Sequence, residues 1–244
     1  LGLTEEQARK RIFFFFSRGL ILDDREGLES YKMIFAHPRS DLAEWEFASK
    51  NPNLIETIRN AKVTVLLGLS GQGGSFDQKI IEAVQKNTAK PIVFALSNPT
   101  NLTEILPKDA ICWTDGNVWM ATGSPFAPVE WKGKTHVIGQ GNNTFVFPGI
   151  GWGVAASGAR TVEAEMMTDA SFALAAQVSQ ERLDSGAVFP RIVDLMDVTD
   201  HVARAVAECA FRLGVATVSH EEMEKRLAER DWVPQYSTYE YDPS

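Results

Sequence analysis

Short apolar runs alternate with polar loops and amphipathic segments through the first half of the chain. A run that is apolar at every position is typical of a strand buried on both faces of a parallel sheet. The predicted strands are 11–16, 63–69, 91–96 and 118–122. The predicted helices in this half are 4–10, 53–58 and 75–86. The first begins with the capping pattern Thr4 to Gln7, and the last is expected to be capped by Ser75. Strand, loop and helix in alternation predict an α/β fold with a doubly wound, mainly parallel sheet.

Beyond residue 144 the pattern becomes helical. Long amphipathic stretches predict helices at 162–183, 196–213 and 219–230. The aromatic and polar segment 232–244 has no clear period, so we interpret residues 1–231 as one domain followed by a short tail.

Composition narrows the class of protein. The chain is 44% apolar and 23% charged, as expected of a globular protein with a core, and its formal net charge is −8. A net negative charge argues against nucleic acid or an anionic membrane as a partner, because both are themselves negatively charged. Cys112 and Cys209 lie far apart, which predicts reduced thiols and a cytoplasmic location. Because the chain begins Leu1-Gly2-Leu3, we expect a piece of a longer protein.

The loops after the predicted strands are the first candidates for a site, because ligands of open α/β sheets bind beyond the carboxyl ends of the strands. Ser70-Gly71-Gln72-Gly73-Gly74 links a strand to the start of a helix. Glycines allow close approach to a ligand, and amides at a helix N-terminus favour anions. The alternative is a tight turn with no ligand.

Asn98 is a second candidate, because Pro99 disfavours helix at the residue before it and ends the strand there. An amide both donates and accepts, which suits a carboxamide, a ribose hydroxyl or a carboxylate. The alternative is a turn in which Asn98 satisfies its own backbone.

Asn142 and Asn143 form a third candidate, directly before a helix rich in small residues. One of them is expected to cap a helix that begins near Thr144, since asparagine is a preferred cap. The small residues permit close approach of that helix to a neighbour. The sharper hypothesis is that the pair are polar ligands.

The remaining ionisable residues give no signature of a metal site or a nucleophile. The four histidines form no HxxxH or HExxH pattern and are expected to be structural or solvated. The carboxylate pair Asp23-Asp24 is expected to be solvated. We therefore predict no metal ligand and no catalytic residue within this chain.

Several segments together resemble the malic enzyme family along essentially the whole chain. They are RIFFFFSRGLI (11–21), GLSGQGG (68–74), FALSNPT (94–100), ATGSPFAPV (121–129), GQGNNTFVFPGIGWGVAASGA (139–159) and, more loosely, WVPQYSTYEYD (232–242). The combination of SNPT with GQGNN and FPG is highly specific.

The resemblance implies a Rossmann-like NAD(P)-binding domain and the oxidative decarboxylation of L-malate to pyruvate and CO2. It implies NAD, with NADP possible, and a Mn or Mg ion held by residues outside this chain. Carried over from the family, Leu69, Ser70, Gly71, Asn98 and Asn142 are expected to bind the cofactor, and Asn98 and Asn143 the substrate. The full-length enzyme is expected to be a homo-oligomer.

The chain departs from the family pattern in ways that bear on activity. The first strand, its glycine loop, the catalytic tyrosine and lysine, and the metal carboxylates are expected before Leu1, so the fragment itself is expected to be inactive. Phe16 stands where the family has an aspartate for the adenosine ribose, and Arg18 could accept a 2′-phosphate. Two alternatives stay open: a malolactic enzyme, which forms lactate, and a dinucleotide-binding module without catalysis.

Overall fold

The computed structural model describes residues 2–16, 19–48 and 50–229. By its internal contacts the chain forms two compact units. The first contains Leu1–Asn142 and Ser179–Phe189, and the second contains Asn143–Val178 and Pro190–Ser244. The predicted tail, 232–244, and Arg18 lie outside the described residues.

The secondary-structure elements follow the order of the chain. The helices are α1 (Glu5–Arg9), α2 (Ser30–Met33), α3 (Leu54–Ala61), α4 (Gln78–Gln85), α5 (Pro107–Trp113), α6 (Phe147–Ser157), α7 (Ala164–Ala176), α8 (Gln180–Asp184), α9 (Leu195–Arg212) and α10 (His220–Ala228). The strands are β1 (Phe15–Phe16), β2 (Gly19–Leu20), β3 (Val65–Gly68), β4 (Ile92–Ala95), β5 (Trp119–Thr122), β6 (Val129–Trp131), β7 (Lys134–His136) and β8 (Gly139–Gln140). Short 3-10 turns cover Arg39–Leu42, Thr100–Leu102, Asn143–Phe145 and Ile192–Asp194.

A four-stranded parallel sheet in the order β3-β4-β5-β8 is the centre of the first unit, which confirms the predicted fold class. Its register pairs Gly68 with Ala95 and Ala95 with Thr122. Three neighbouring strands therefore end level with one another, and the loops that follow them all begin at one edge of the sheet.

Helices α3, α4 and α5 supply the apolar cover of this sheet. Ile58, Ile81 and Ile111, one from each helix, are fully or almost fully buried in a single cluster with Leu66 and Val93 of the strands. Burying an aliphatic side chain of this size stabilises a fold by about 1.5–3 kcal/mol. This packing fixes where the three strands end.

The predicted cap of α4 is corrected by the structure. The helix begins at Gln78, and the Asp77 side chain accepts from the Ile80 amide at 3.0 Å, so Asp77 is the cap and Ser75 is not. Both residue types are good caps, so composition alone could not choose between them.

The prediction of a buried parallel strand at 11–16 was wrong. Phe15–Phe16 pairs antiparallel with Gly19–Leu20 in a separate two-stranded ribbon, and Phe16 is 45% exposed beside the Lys32 ammonium. A uniform apolar run shows that burial is favoured but does not select a partner strand. Leu20, on the other side of the ribbon, is the residue that is buried completely.

The hairpin of β6 and β7 was not predicted. Its two-residue turn is Lys132-Gly133, and both residues have positive φ, 48° and 76°. Hairpin turns of this kind are usually signalled by Asn-Gly or Asp-Gly. Because lysine stands at the first position of this turn, the sequence does not contain that signal.

Four long helices make up most of the second unit, as the helical pattern after residue 144 predicted. Helix α6 lies so close to α9 that a Cβ built on Gly149 would stand 2.6 Å from the Val202 Cβ, and one on Gly153 2.8 Å from the Val206 Cβ. The expected close approach of the small-residue helix is thus confirmed. The predicted helix 162–183 is two helices, because Ser179 caps a new helix, α8, that belongs to the first unit.

The start of α6 differs from the prediction. The helix begins at Phe147, its N-cap is Val146 with no side-chain cap, and Asn143 begins a 3-10 turn before it. Neither Asn142 nor Asn143 therefore caps α6. Pro148 explains the later start, because its fixed φ and missing N–H suit the first turn of a helix.

Candidate cofactor and substrate site

The candidate site is built on the loops that leave the level ends of β3, β4 and β5. They contain Leu69 to Gly71, Ser97 with Asn98, and Gly123 with Ser124. Hydrogen bonds join all three loops into a connected polar edge. Sequence analysis chose its first two candidates from these strand ends, and the structure brings their loops together; that they bind a ligand stays a prediction.

The loop after β3 presents Leu69 to solvent at 68% exposure. Gly71 follows with a φ of +65°, and a Cβ built there would meet no atom within 4 Å. The backbone here needs glycine for its conformation and leaves open space in front of it. An apolar side chain beside a bare backbone gives a surface on which a planar ring could lie.

The amides of this same loop point into the protein. The Ser70 amide donates to Glu104 Oε1 at 2.9 Å, and the Gly71 amide donates to Ser97 Oγ at 2.9 Å. The Gln72 amide donates to Ser70 Oγ at 3.3 Å. Three consecutive donors are thus satisfied internally and are not available to an anion. A ligand at this loop would meet the Leu69 side chain and the outer face of Gly71 instead.

Asn98 stands at the end of β4 with an exposed side chain whose orientation is fixed. Its Oδ1 accepts from the Ser124 hydroxyl at 2.7 Å, and its Nδ2 donates to the Leu96 carbonyl at 3.3 Å. The peptide to Pro99 is cis, which the sequence did not reveal. An amide has two N–H donors, and the described residues provide no acceptor for the second one. Asn98 can therefore present a donor to a ligand in a defined direction.

The loop after β5 packs directly on the loop after β4. A Cβ on Gly123 would stand 2.8 Å from Asn98 Nδ2 and closer still to the Leu96 carbonyl oxygen. Thr122 Oγ1 donates to the Ser124 carbonyl at 2.8 Å, which holds Ser124 beneath Asn98. Gly123 is thus required by close approach, and Ser124 by its bond to Asn98.

The two asparagines of the third motif fall in different units. Asn142 is the last residue of the first unit, two residues after β8, whose Gln140 side chain donates to the Gly123 carbonyl at 3.2 Å. Asn143 is the first residue of the second unit, and its carbonyl accepts from the Val146 amide at 3.0 Å. Ser70, Gly71 and Asn98 thus lie in the loops of one hydrogen-bonded edge in the first unit, whereas Asn143 belongs to the second unit.

The histidines have structural surroundings. The His37 ring stacks on Phe13 with centroids 4.5 Å apart, and His201 Nδ1 lies 2.7 Å from the Asp197 carbonyl. Burial, followed by the charge of Lys134, lowers the pKa of His136. His220 lies 3.3 Å from a Glu208 carboxylate oxygen.

A metal ion finds no donor set in the described residues, among which no group of three or more His, Cys, Asp or Glu side chains is arranged to hold one. The metal that the family resemblance implies does not fit the residues seen here. Asp23 and Asp24 instead bind Arg39, whose guanidinium is the main reason that the pKa of Asp24 is lowered.

Sequence reasoning missed three residues of this edge: Ser97, Glu104 and Ser124. Glu104 is fully buried and accepts from both loop serines, Ser70 and Ser97. It lies 34 positions after Ser70, so no local pattern links them. A serine two positions after the last residue of each of the three strands β3, β4 and β5 was the one available signal.

A parallel sheet with helices, and with ligand-competent loops at its carboxyl edge, defines the Rossmann-like class of dinucleotide-binding domains. Residues 1–211 match the family described as "Malic enzyme, NAD binding domain". The chain belongs to the malic enzyme family and corresponds to its NAD-binding domain.

Individual relatives agree with this assignment. The chain is 42% identical over 239 residues to an NAD-dependent malic enzyme of Cronobacter sakazakii, and 41% identical over 239 residues to one of Proteus mirabilis. In each case the match covers 98% of this chain and 42% of the relative. A crystal structure of the Entamoeba histolytica malic enzyme superposes with a TM-score of 0.67 at 25% identity, over 90% of this chain and 41% of that one. The chain therefore spans less than half the length of these relatives.

Among the described residues, no helix is both long enough and apolar enough to cross a bilayer.

Proposed function

We propose that this chain binds NAD and the substrate within a malic enzyme that oxidatively decarboxylates L-malate to pyruvate and CO2. The observation that carries the proposal is Asn98, whose amide is exposed at the carboxyl end of β4 and oriented by Ser124 at 2.7 Å. The relatives named above as NAD-dependent malic enzymes support NAD as the cofactor.

The residues of the edge fit the nicotinamide end of such a cofactor. Bound NAD would supply the hydride acceptor for the malate C2 carbon. Leu69 and the outer face of Gly71 would provide a surface for the ring, and the free N–H of Asn98 would bind an oxygen of the nicotinamide or of the substrate. Because the amides of residues 70–72 point inward, the phosphates would be held elsewhere.

Asn142 and Asn143 are the other residues that the family resemblance assigns to ligands. We assign Asn143 to the substrate carboxylate, for which its side-chain N–H groups are suitable donors, and Asn142 to the cofactor. Mn or Mg would be held by residues outside this chain, which would also supply the catalytic acid and base.

The proposal extends to the setting of the enzyme. Cys112 and Cys209 are free thiols, which supports a reducing compartment, and we place the enzyme in the cytoplasm. We further propose that the full-length enzyme is a homo-oligomer, as the family resemblance implies.

Product analysis on the complete gene product tests this function. With L-malate, Mn and NAD it should form pyruvate, CO2 and NADH in equal amounts. Residues 1–244 assayed alone should give no turnover above background, since they are assigned binding roles only. Lactate without net NADH would establish the malolactic reaction instead. NAD binding without turnover by the complete protein would establish a binding module.

A further inference from the structure

Glu104 is a fully buried carboxylate beneath the loops of the candidate site. It lies between the 3-10 turn Thr100–Leu102 and helix α5, and its backbone carbonyl accepts from the Phe76 amide at 2.9 Å. Taking a carboxylate out of water is costly unless it is well hydrogen-bonded. The carboxylate oxygens of Glu104 therefore need hydrogen-bond donors in this buried position.

One oxygen of Glu104 gathers donors from two different loops. Oε1 accepts from the Ser70 amide at 2.9 Å, from the Ser70 hydroxyl at 3.2 Å and from the Ser97 hydroxyl at 2.5 Å. Each hydroxyl, having donated its proton to Glu104, accepts from a backbone amide, Ser97 from Gly71 and Ser70 from Gln72. A single acceptor thereby sets the direction of three consecutive amides and ties the end of β3 to the end of β4.

The second oxygen has a different environment. Oε2 is buried and has no hydrogen-bond partner among the described residues. The space that it occupies exists because β3 ends in glycine: a Cβ on Gly68 would stand 2.6 Å from both Oε2 and Cδ of Glu104. Glycine at the end of the strand and the carboxyl group above it are thus fitted to each other.

We propose that Glu104 is a positioning residue of the site, which holds the cofactor loop Leu69–Gly71 and the Ser97–Asn98 loop in their ligand-binding geometry. It touches neither ligand. It acts through Ser70 and Ser97, and Ser97 directly precedes Asn98 in the chain. This inference rests on the proposed function for the identity of the ligands, although the loop geometry it describes does not.

Glu104→Gln is the test variant, because it keeps the shape of the side chain but disturbs the network in either orientation of the amide. With its oxygen at the Oε1 position it buries an NH2 where Oε2 has no partner, and in the other orientation an NH2 faces the Ser70 amide and removes that amide's acceptor. Glu82→Gln is the matched control, since Glu82 is an exposed residue of α4 in the same unit, and its side chain is hydrogen-bonded only to Gln78, at 2.8 Å, among the described contacts. In the complete enzyme, Glu104→Gln should weaken NAD binding and lower kcat/KM by about tenfold or more. Glu82→Gln should leave both within twofold.

Hydrogen exchange supplies a readout that does not depend on activity. In Glu104→Gln the amides of residues 70–72 should exchange at least about tenfold faster, while those of α9 keep their wild-type rates. Faster exchange at 70–72 with unchanged NAD affinity and kcat/KM would leave Glu104 a purely structural residue and overturn the proposal. Unchanged exchange at 70–72 would overturn it as well.

A second route reaches the same network without altering Glu104. Gly68→Ala should displace the carboxyl group, and Ser97→Ala removes the link to Gly71, so both should reproduce the loss of NAD affinity at temperatures well below their melting transitions. They replace Glu104→Gln if that variant does not fold, and normal NAD affinity in both would then overturn the proposal. If the wild-type enzyme fails to oxidise malate, the proposed function falls, and the exchange rates at 70–72 still decide whether Glu104 fixes the loops.

Discussion

Two regions of the molecule bring backbone segments into close approach, and they do so by different physical means. At the ends of β3 and β4 the segments are joined by hydrogen bonds that converge on Glu104. Between α6 and α9 they are joined by steric fit, with Gly149 and Gly153 leaving room for Val202 and Val206. Hydrogen bonds fix direction, and close packing contributes stability. Substitutions in the first region should therefore weaken ligand binding, whereas substitutions in the second should lower the free energy of unfolding.

The largest expected effect is on stability, at Gly153. Gly153→Ala puts a Cβ 2.8 Å from Val206 Cβ, against the backbone of α9, and should lower the free energy of unfolding by about 1–3 kcal/mol. Gly151→Ala is the control on the same helix, because a Cβ there meets no atom within 4 Å. It should raise stability by up to about 1 kcal/mol, through helix propensity. Denaturant titration measures the free energy of unfolding of both variants. Equal changes in the two would contradict the close packing of α6 against α9 at Gly153.

Asn98→Ala should have the largest effect on function. It removes the oriented amide and should lower kcat/KM of the complete enzyme by about tenfold to a hundredfold, equivalent to about 1.4–2.7 kcal/mol. The melting temperature should change little, because the side chain is exposed at the edge of the sheet. A variant that melts early and retains normal kinetics would show that Asn98 is a turn residue.

Aspartate at Asn143 should have a selective effect on the substrate. Asn143→Asp removes the amide donors and adds a charge that repels malate, so the KM for malate should rise about tenfold, near 1.4 kcal/mol. Asn142→Asp should act mainly on the KM for NAD. Asn143 does not cap α6, so Asn143→Asp should keep the wild-type melting temperature. Normal KM values for malate and NAD in both would remove these residues from the site.

Ser124→Ala should have the smallest effect of the series. It deletes the hydrogen bond to Asn98 Oδ1 and leaves the Asn98 amide in place. A neutral hydrogen bond is worth about 1 kcal/mol, so kcat/KM should fall about fivefold. In the double variant with Asn98→Ala, Ser124→Ala should have no further effect. Additive losses would mean that Ser124 acts independently of Asn98.

Three of the four strands of the sheet could be predicted because they are short, mainly apolar and flanked by glycine or proline. Strand β8 was not predicted, and β3 exposes Val65 and Leu67 on one face. Strands β3, β4 and β5 lie within the predicted segments 63–69, 91–96 and 118–122. The same pattern failed at 11–16, where only Phe15–Phe16 form a strand, paired antiparallel with the neighbouring Gly19–Leu20, and Phe16 is exposed. An apolar run favours a strand, but its burial and its pairing are decided by the rest of the fold.

The position of the candidate site follows from the order of strands and loops, whereas the hydrogen bonds that build it do not, and ligand binding there stays a prediction. The rule for strand ends located Ser70 and Asn98, since it needs only the order of strands and loops. Ser97 and Glu104 were missed because their bonds depend on how two loops meet. For the same reason the inward direction of the amides at 70–72, which excludes them as phosphate ligands, could not be inferred from a glycine-rich loop.

The fit between Gly68 and Glu104 has a consequence for how this sequence can change. Any side chain at position 68 collides with the carboxyl group, and any shorter residue at position 104 leaves the loop serines without their acceptor. A substitution at either position alone should therefore disturb the loops. A substitution at one position is expected to be retained only together with a compensating substitution at the other. Residues 68 and 104 should covary across the family as a pair, although 36 positions separate them along the chain.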